Sequence, residues 1–64
     1  MSKVTVWLHD GKVEEYGPRQ NEVWTADESP LGYLNVWRTV HGVRESKAQR
    51  VYSMIQVARY EVTH

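Results

Sequence analysis

The chain has no cysteine and no phenylalanine, and only two prolines among its 64 residues. Without cysteine, neither disulfides nor zinc sites built on thiolates can form, which excludes the usual framework of a small secreted protein. No apolar run approaches the ~20 residues that a membrane-spanning helix needs, and residues 1–9 lack the apolar segment of a signal peptide. We therefore expect an unprocessed, cytoplasmic protein with no membrane partner.

The formal net charge is zero, which argues against the phosphate attraction that dominates nonspecific nucleic-acid binding. The charges are nevertheless unevenly placed along the chain. Residues 1–32 carry three basic and six acidic side chains, whereas residues 33–64 carry five basic and two acidic ones. We expect the two halves to pack together and neutralise each other. The alternative is a dipolar molecule whose basic face binds an acidic partner or a second copy.

At this length, residues 1–64 are expected to form a single domain, because so small a core cannot be divided. Three Trp and four Tyr supply all the aromatic side chains. Their large apolar bodies and polar tips suit half-buried positions and interfaces. Seven of them cannot all be central in a small core, so we expect some on the surface or at a subunit contact.

Residues 4–8 alternate with the period of a β-strand, which sets Val4, Val6 and Leu8 on one face and Trp7 on the other. The following Asp10-Gly11 pair is typical of a two-residue type I′ hairpin turn, in which Leu8 faces Val13. This register also sets Val6 opposite Glu15, so a bulge or a longer loop is the alternative.

Two further strands follow in the sequence. A short one is predicted at residues 22–25, ended by the turn-forming residues 27–30. The second runs from Tyr33 to Val40, with Leu34 and Val36 on its apolar face and Tyr33 and Trp37 on the other. Arg38 interrupts the apolar face, where its aliphatic stem can cover the edge of the core while the guanidinium reaches water. Residues 41–48 are predicted to be a loop or a wide hairpin connection.

The last part of the chain allows two interpretations. Apolar residues recur at helical spacing over residues 47–60, which would give an amphipathic helix. Frequent β-branched and aromatic residues instead favour a strand at 49–53, a tight turn at 54–56 and a strand at 57–63. We prefer the strands. The predicted fold is thus all-β, an antiparallel meander of about five to six short strands curled into an open roll or barrel. A meander with one helix at 47–60 is the alternative.

Three segments, "VTVWLHDG", "LNVWR" and "RVYSMIQVARYEV", resemble small uncharacterised orphan proteins of actinobacteriophages. The resemblance spans nearly the whole chain and rests on patterning. It implies a protein made in the infected cytoplasm that binds host proteins, and it brings no catalytic residue. The family pattern tends to carry proline in the closing turn, where this chain has Ser53 and Met54.

Residues that could support catalysis are poorly placed in the sequence. His9 and Asp10 are neighbours that should point apart, and Glu14 and Glu15 should face opposite sides of a strand. No glycine-rich phosphate loop occurs, and a chain this short is not expected to enclose a pocket of ~300 Å³. We therefore predict no enzyme activity, no catalytic residue, no metal, no cofactor and no small-molecule substrate.

The exposed aromatic residues point instead to binding. Trp, Tyr and Arg are enriched at the energetic centres of protein interfaces. We predict a protein-binding module that contacts a host protein or a second copy, as a homo-oligomer, through Trp7, Tyr33, Trp37 and Arg38. The alternative is a small β barrel that binds single-stranded nucleic acid by base stacking beside basic side chains, through Tyr33, Trp37, Arg44, Lys47 and Arg50.

Overall fold

The computed structural model describes residues 1–64, and all of its regular elements are β-strands. This confirms the all-β class. No helix is present that could span a membrane. The seven strands are β1 (Lys3–Leu8), β2 (Val13–Tyr16), β3 (Glu22–Ser29), β4 (Tyr33–Val40), β5 (Val43–Arg44), β6 (Arg50–Ser53) and β7 (Val57–Thr63).

All strand pairs are antiparallel, and they form two sheets. In the first sheet, β1 lies between β2 and β7. In the second sheet, β3 pairs along one side of β4, while β5 and β6 pair with different parts of its other side. The order departs from a simple meander, because β7 pairs with β1 instead of β6. The two sheets pack against each other without joining into a closed barrel.

The preferred interpretation of the last part of the chain is confirmed, and the helix at 47–60 is wrong. Strand β6 ends at Ser53, a turn occupies residues 54–56, and β7 begins at Val57. Each strand completes a different sheet, β6 beside β4 and β7 beside β1. A helix here would satisfy its own backbone but would leave one side of β1 and much of one side of β4 without hydrogen-bond partners.

The core lies between the two sheets and has the composition that the alternating patterns predict. Val4 and Val6 from β1 meet Leu34 and Val36 from β4, and all four are fully buried. Burial of an aliphatic side chain of this size contributes about 1.5–3 kcal/mol. Three further residues complete the buried apolar cluster, namely Trp24, Tyr52 and Val57.

The first hairpin differs from the predicted two-residue turn. Leu8 N donates to Lys12 O at 2.9 Å and Gly11 N donates to Leu8 O at 3.0 Å, so the loop comprises the three residues 9–11. Gly11 has a φ of 92°, the left-handed conformation that closes three-residue hairpin loops. The longer-loop alternative is therefore the observed one, and Trp7 faces Val13.

This shift of one residue in register decides which side of β2 faces the core. It sets Val6 opposite Glu14 and Val4 opposite Tyr16, on the inner face of the first sheet. The Tyr16 ring then lies 5.7 Å from the Trp24 ring of the other sheet. With the predicted register, Val13 would have pointed inward and Tyr16 outward, so contact between these two rings accounts for the observed pairing.

The two hairpins of the second sheet also differ from the predicted boundaries. Strand β3 continues past the predicted breaker to Ser29, and residues 30–32 form a second three-residue loop in which Gly32 N donates to Ser29 O at 3.0 Å. A two-residue turn occurs instead inside the predicted loop 41–48. His41 and Gly42 have φ values of 50° and 80°, as a type I′ turn requires, and they connect β4 to the short strand β5.

Candidate functional site

The outer face of the second sheet carries a band of apolar side chains, which we call the Trp37 face and define by Val23, Tyr33, Trp37 and Val51. Val23, Tyr33 and Val51 are exposed to 49%, 46% and 51%, while Trp37 is half-buried among them. The register connects the members, since Val23 pairs with Thr39 and Val51 with Asn35, which places both diagonal to Trp37. Three strands therefore contribute to one apolar surface.

An arginine from β5 covers part of this face. The Arg44 guanidinium lies 3.9 Å from the centre of the Trp37 ring and 3.3 Å from the Asp27 carboxylate. Burial raises the pKa of Asp27, but hydrogen bonding from Asn35 and the charge of Arg44 outweigh it, and the pKa lies below its usual value. The Trp37 indole also lies near this carboxyl group, although no acceptor reaches Nε1 with the geometry of a hydrogen bond. A buried indole N–H without a partner is uncommon in a folded protein.

Trp7, a predicted contact residue, lies on the outer face of the first sheet and thus on the opposite side of the molecule. Its ring is half-buried, and the Arg59 guanidinium stacks over it at 3.9 Å. Cation–π contacts of this kind contribute about 0.5–1 kcal/mol at exposed sites. The chain thus covers each of its two outward-facing tryptophans with an arginine from the neighbouring strand.

Arg38, another predicted contact residue, lies on the inner face of β4 and not beside Trp37. Its guanidinium contacts the carboxylates of Glu45 and Glu22, the latter at 3.8 Å, and lies 5.9 Å from the Trp24 ring. The guanidinium, which was predicted to reach water, is paired with these two acids. The structure therefore does not unite Trp7, Tyr33, Trp37 and Arg38 on one surface.

The five residues of the nucleic-acid alternative are also divided. Tyr33, Trp37 and Arg44 share the outer face of the second sheet. Arg50 pairs with Val36 and points to the inner face, and Lys47 lies in the exposed loop between β5 and β6. An aromatic surface with one basic side chain remains, and that side chain is ion-paired.

Sequence reasoning missed Val23 and Val51 as members of the site. Val51 lies in the stretch that allowed both a helix and a strand, so its face was undetermined. Once the strand at 49–53 is accepted, the buried Tyr52 places Val51 on the outer face by alternation alone. Val23 follows in the same way from the buried Trp24. Both valines are exposed because no further element of the chain packs over the outer face of this sheet. The residues of a single strand do not predict that exposure.

The two halves of the chain neutralise each other in part, as expected. Ion pairs between the halves join Arg38 to Glu22 and Arg44 to Asp27. Two tyrosine hydroxyls of the second half, those of Tyr52 and Tyr60, also donate to carboxylates of the first. Four other ion pairs stay within one half of the sequence.

A cleft of about 390 Å³ opens between the β1–β2 loop and the β6–β7 turn. This cleft is partly open to solvent, so it does not contradict the expectation that so short a chain encloses no pocket of ~300 Å³. Its walls include Leu8, His9, Asp10, Glu14, Arg50 and Ile55.

One wall of the cleft is fixed by a chain of hydrogen bonds. Tyr52 has one hydroxyl proton and donates it to the Glu14 carboxylate, so the hydroxyl of Tyr16 must donate to the Tyr52 oxygen. Burial and the hydrogen bond to Glu14 raise the pKa of Tyr52 well above its ordinary value. Tyr52 therefore stays neutral and holds Glu14 in place. The histidines, by contrast, do not converge, and no group of three or more potential metal-ligating residues forms.

These features define the chain as a small two-sheet β domain with an apolar outer face and a separate charged cleft. It matches no protein-family model, no curated protein and no solved structure.

Proposed function

We propose that the chain is a non-catalytic protein-binding module that self-associates through the Trp37 face. The observation that supports this most strongly is the set of apolar side chains of Val23, Tyr33, Trp37 and Val51, which come from three strands and share the outer face of one sheet. Polar side chains lie on the same face, with Asn35 between Tyr33 and Trp37 and Arg44 over the Trp37 ring. Exposed apolar and aromatic side chains interspersed with polar ones are typical of a protein contact surface.

A second copy of the chain is the partner that the charges favour. The formal net charge is zero, so two copies experience no long-range repulsion, and a protein without net charge associates readily. A host protein is the alternative partner, supported by the resemblance to actinobacteriophage orphan proteins. In that case the protein acts in the cytoplasm of the infected cell.

The test uses two lysine substitutions at valines with equal exposure. Val51 lies on the Trp37 face and Val13 beside Trp7 on the opposite side of the molecule, and both are 51% exposed. We expect light scattering to detect a dimer, with Val51→Lys weakening its association at least tenfold, which corresponds to about 1.4 kcal/mol. Val13→Lys should leave the association unchanged. Circular dichroism serves to show that both variants fold.

Two results would contradict self-association through this face. A chain that stays monomeric at every concentration tested would direct attention to the host-protein alternative. A dimer that Val13→Lys disrupts and Val51→Lys does not would move the interface to the Trp7 side. Neither measurement requires a host protein to be identified first.

Binding of single-stranded nucleic acid is the second candidate, because Tyr33, Trp37 and Arg44 share a face and base stacking contributes about 1–3 kcal/mol per base. The ion pair between Arg44 and Asp27 and the position of Arg50 on the opposite face of the sheet argue against it. We expect no binding of oligothymidine at low salt. If oligothymidine bound with an affinity that fell steeply with added salt and was lost in Trp37→Ala, binding of single-stranded nucleic acid would become the favoured function.

A further inference from the structure

The charged cleft is a second feature of the molecule that could hold a ligand, and it is independent of the Trp37 face. Its volume of about 390 Å³ lies in the range of small-molecule sites. The two loops that flank it are joined by a backbone hydrogen bond, in which His9 N donates to Gln56 O at 2.9 Å. The backbones on the two sides of the cleft are thus linked to each other.

The acidic groups of the cleft already have partners. Asp10 accepts a hydrogen bond from the Lys12 amide at 3.0 Å and lies 3.9 Å from its ammonium group. Glu14 accepts the hydrogen bond from Tyr52 described above. Neither carboxylate therefore needs a cation from a ligand.

Arg50 is different, because it takes part in none of the six ion pairs of the molecule. Its guanidinium lies 5.2 Å from the centre of the Tyr52 ring, on the wall of the cleft. A guanidinium presents paired N–H donors that match the two oxygens of a carboxylate. The cleft thus contains one cation that is in no ion pair, since its other cation, Lys12, lies 3.9 Å from Asp10.

The remaining walls are partly apolar. Ile55 is 86% exposed at the β6–β7 turn, and half-buried Leu8 lies in the same cleft. An apolar group bound beside them would remove this surface from water, which favours binding. A ligand that satisfies the whole cleft therefore combines an anion with an apolar substituent.

We propose that this cleft binds a carboxylate attached to a branched apolar group, with Arg50 as the residue that holds the carboxylate and Ile55 and Leu8 in contact with the apolar group. A singly charged carboxylate fits better than a phosphate dianion, because Asp10 and Glu14 lie in the same cleft and repel additional negative charge. The chemistry is shared by a free branched-chain acid and by the C-terminal residue of a peptide.

The experiment uses NMR to follow the backbone amide resonances of the full isotope-labelled chain. The chain is titrated with 4-methylpentanoate and, separately, with acetyl-Gly-Gly-Leu bearing a free C-terminus. We expect both to shift the resonances of residues 8–12, 50 and 54–56. A peptide that binds at least tenfold more tightly than the free acid identifies a peptide C-terminus as the source, whereas equal affinity identifies the small acid. The peptide with an amidated C-terminus should bind at least tenfold more weakly than its free acid.

The substitution Arg50→Gln should raise the dissociation constant of the acid at least tenfold. Arg19→Gln is the matched control, since Arg19 is also exposed, is in no ion pair and does not line the cleft. The proposal is overturned if neither probe shifts these resonances, if the amide binds as well as the acid, or if Arg50→Gln and Arg19→Gln have equal effects. Val51 lies on the outer face of the second sheet and does not line the cleft, so failure of self-association through the Trp37 face does not affect this result.

Discussion

Replacing Gly17 by alanine is expected to unfold a large fraction of the protein. Gly17 has a φ of 78°, and a Cβ atom there would lie 2.7 Å from Trp24 Cδ1 and 2.9 Å from the backbone oxygen of Ser2. The left-handed conformation costs a non-glycine residue about 1–2 kcal/mol, and overpacking adds about 1–3 kcal/mol. Domains of this length have a total stability of roughly 3–10 kcal/mol.

The crowding at Gly17 cannot be relieved without loss elsewhere. Ser2 is buried and its Oγ accepts a hydrogen bond from Trp24 N at 2.6 Å, which satisfies a donor on the free edge of β3. Trp24 is 5% exposed and packs against Tyr16. Movement of either partner to admit a methyl group would open the junction between the N-terminus, the end of β2 and the edge of β3.

Gly32→Ala is the matched control for this prediction. Gly32 has a φ of 87°, but no atom lies within 4 Å of the position that its Cβ would take. Its alanine variant should therefore lose about 1–2 kcal/mol from backbone strain alone. Urea denaturation followed by circular dichroism gives both values. Equal losses in the two variants would show that the contacts of Gly17 with Trp24 and Ser2 impose no constraint.

Local sequence patterns predicted β1 and β4 well because apolar and outward-facing residues alternate along both strands. The bounds Tyr33–Val40 match the structure, and the segments around Val4 and around Val57 are strands as proposed. Turn types were predicted less well. Asp10-Gly11 suits a type I′ turn locally, yet the loop is longer because the inner face of β2 must present Tyr16 to Trp24. That requirement arises from residues in different sheets.

The candidate site was also predicted only in part from patterns within single strands. Alternation correctly places Trp7, Tyr33 and Trp37 on faces away from the aliphatic core. It does not predict that the chain covers the two tryptophans in part with its own arginines, Arg59 over Trp7 and Arg44 over Trp37. Arg59 is 52 residues distant from Trp7 in sequence, and their contact depends on β7 returning to β1. No pattern within a single strand contains that information.

Stability is expected to fall as the pH rises above about 10, and Tyr52 is expected to cause much of the decrease. Burial, together with its hydrogen bond to Glu14, raises the pKa of Tyr52 in the folded protein. In the unfolded chain a tyrosine ionises near pH 10. Above that pH the unfolded state releases a proton that the folded state retains, so the free energy of unfolding decreases by about 1.4 kcal/mol per pH unit for this group.

Because the pKa of Tyr52 is higher in the folded than in the unfolded protein, its ionisation lowers stability at high pH. The stabilisation from neutral Tyr52 is fully present below pH 10 and is lost as the pH rises toward the folded-state pKa. Tyr60 acts in the same direction, because its hydrogen bond to Glu28 and its burial raise its pKa as well. Ultraviolet titration of the tyrosines should therefore show late ionisation that coincides with loss of the circular dichroism signal.

Two phenylalanine variants separate Tyr52 from the other tyrosines. Tyr52→Phe leaves the Tyr16 hydroxyl and the Glu14 carboxylate without their shared partner, so it should cost about 1–3 kcal/mol at neutral pH. It should also make the decline in stability above pH 10 shallower. Tyr33→Phe removes an exposed hydroxyl and should change neither value. If urea denaturation gave the same alkaline slope for wild type and Tyr52→Phe, the hydrogen-bonded chain from Tyr16 to Glu14 would not be what retains the proton.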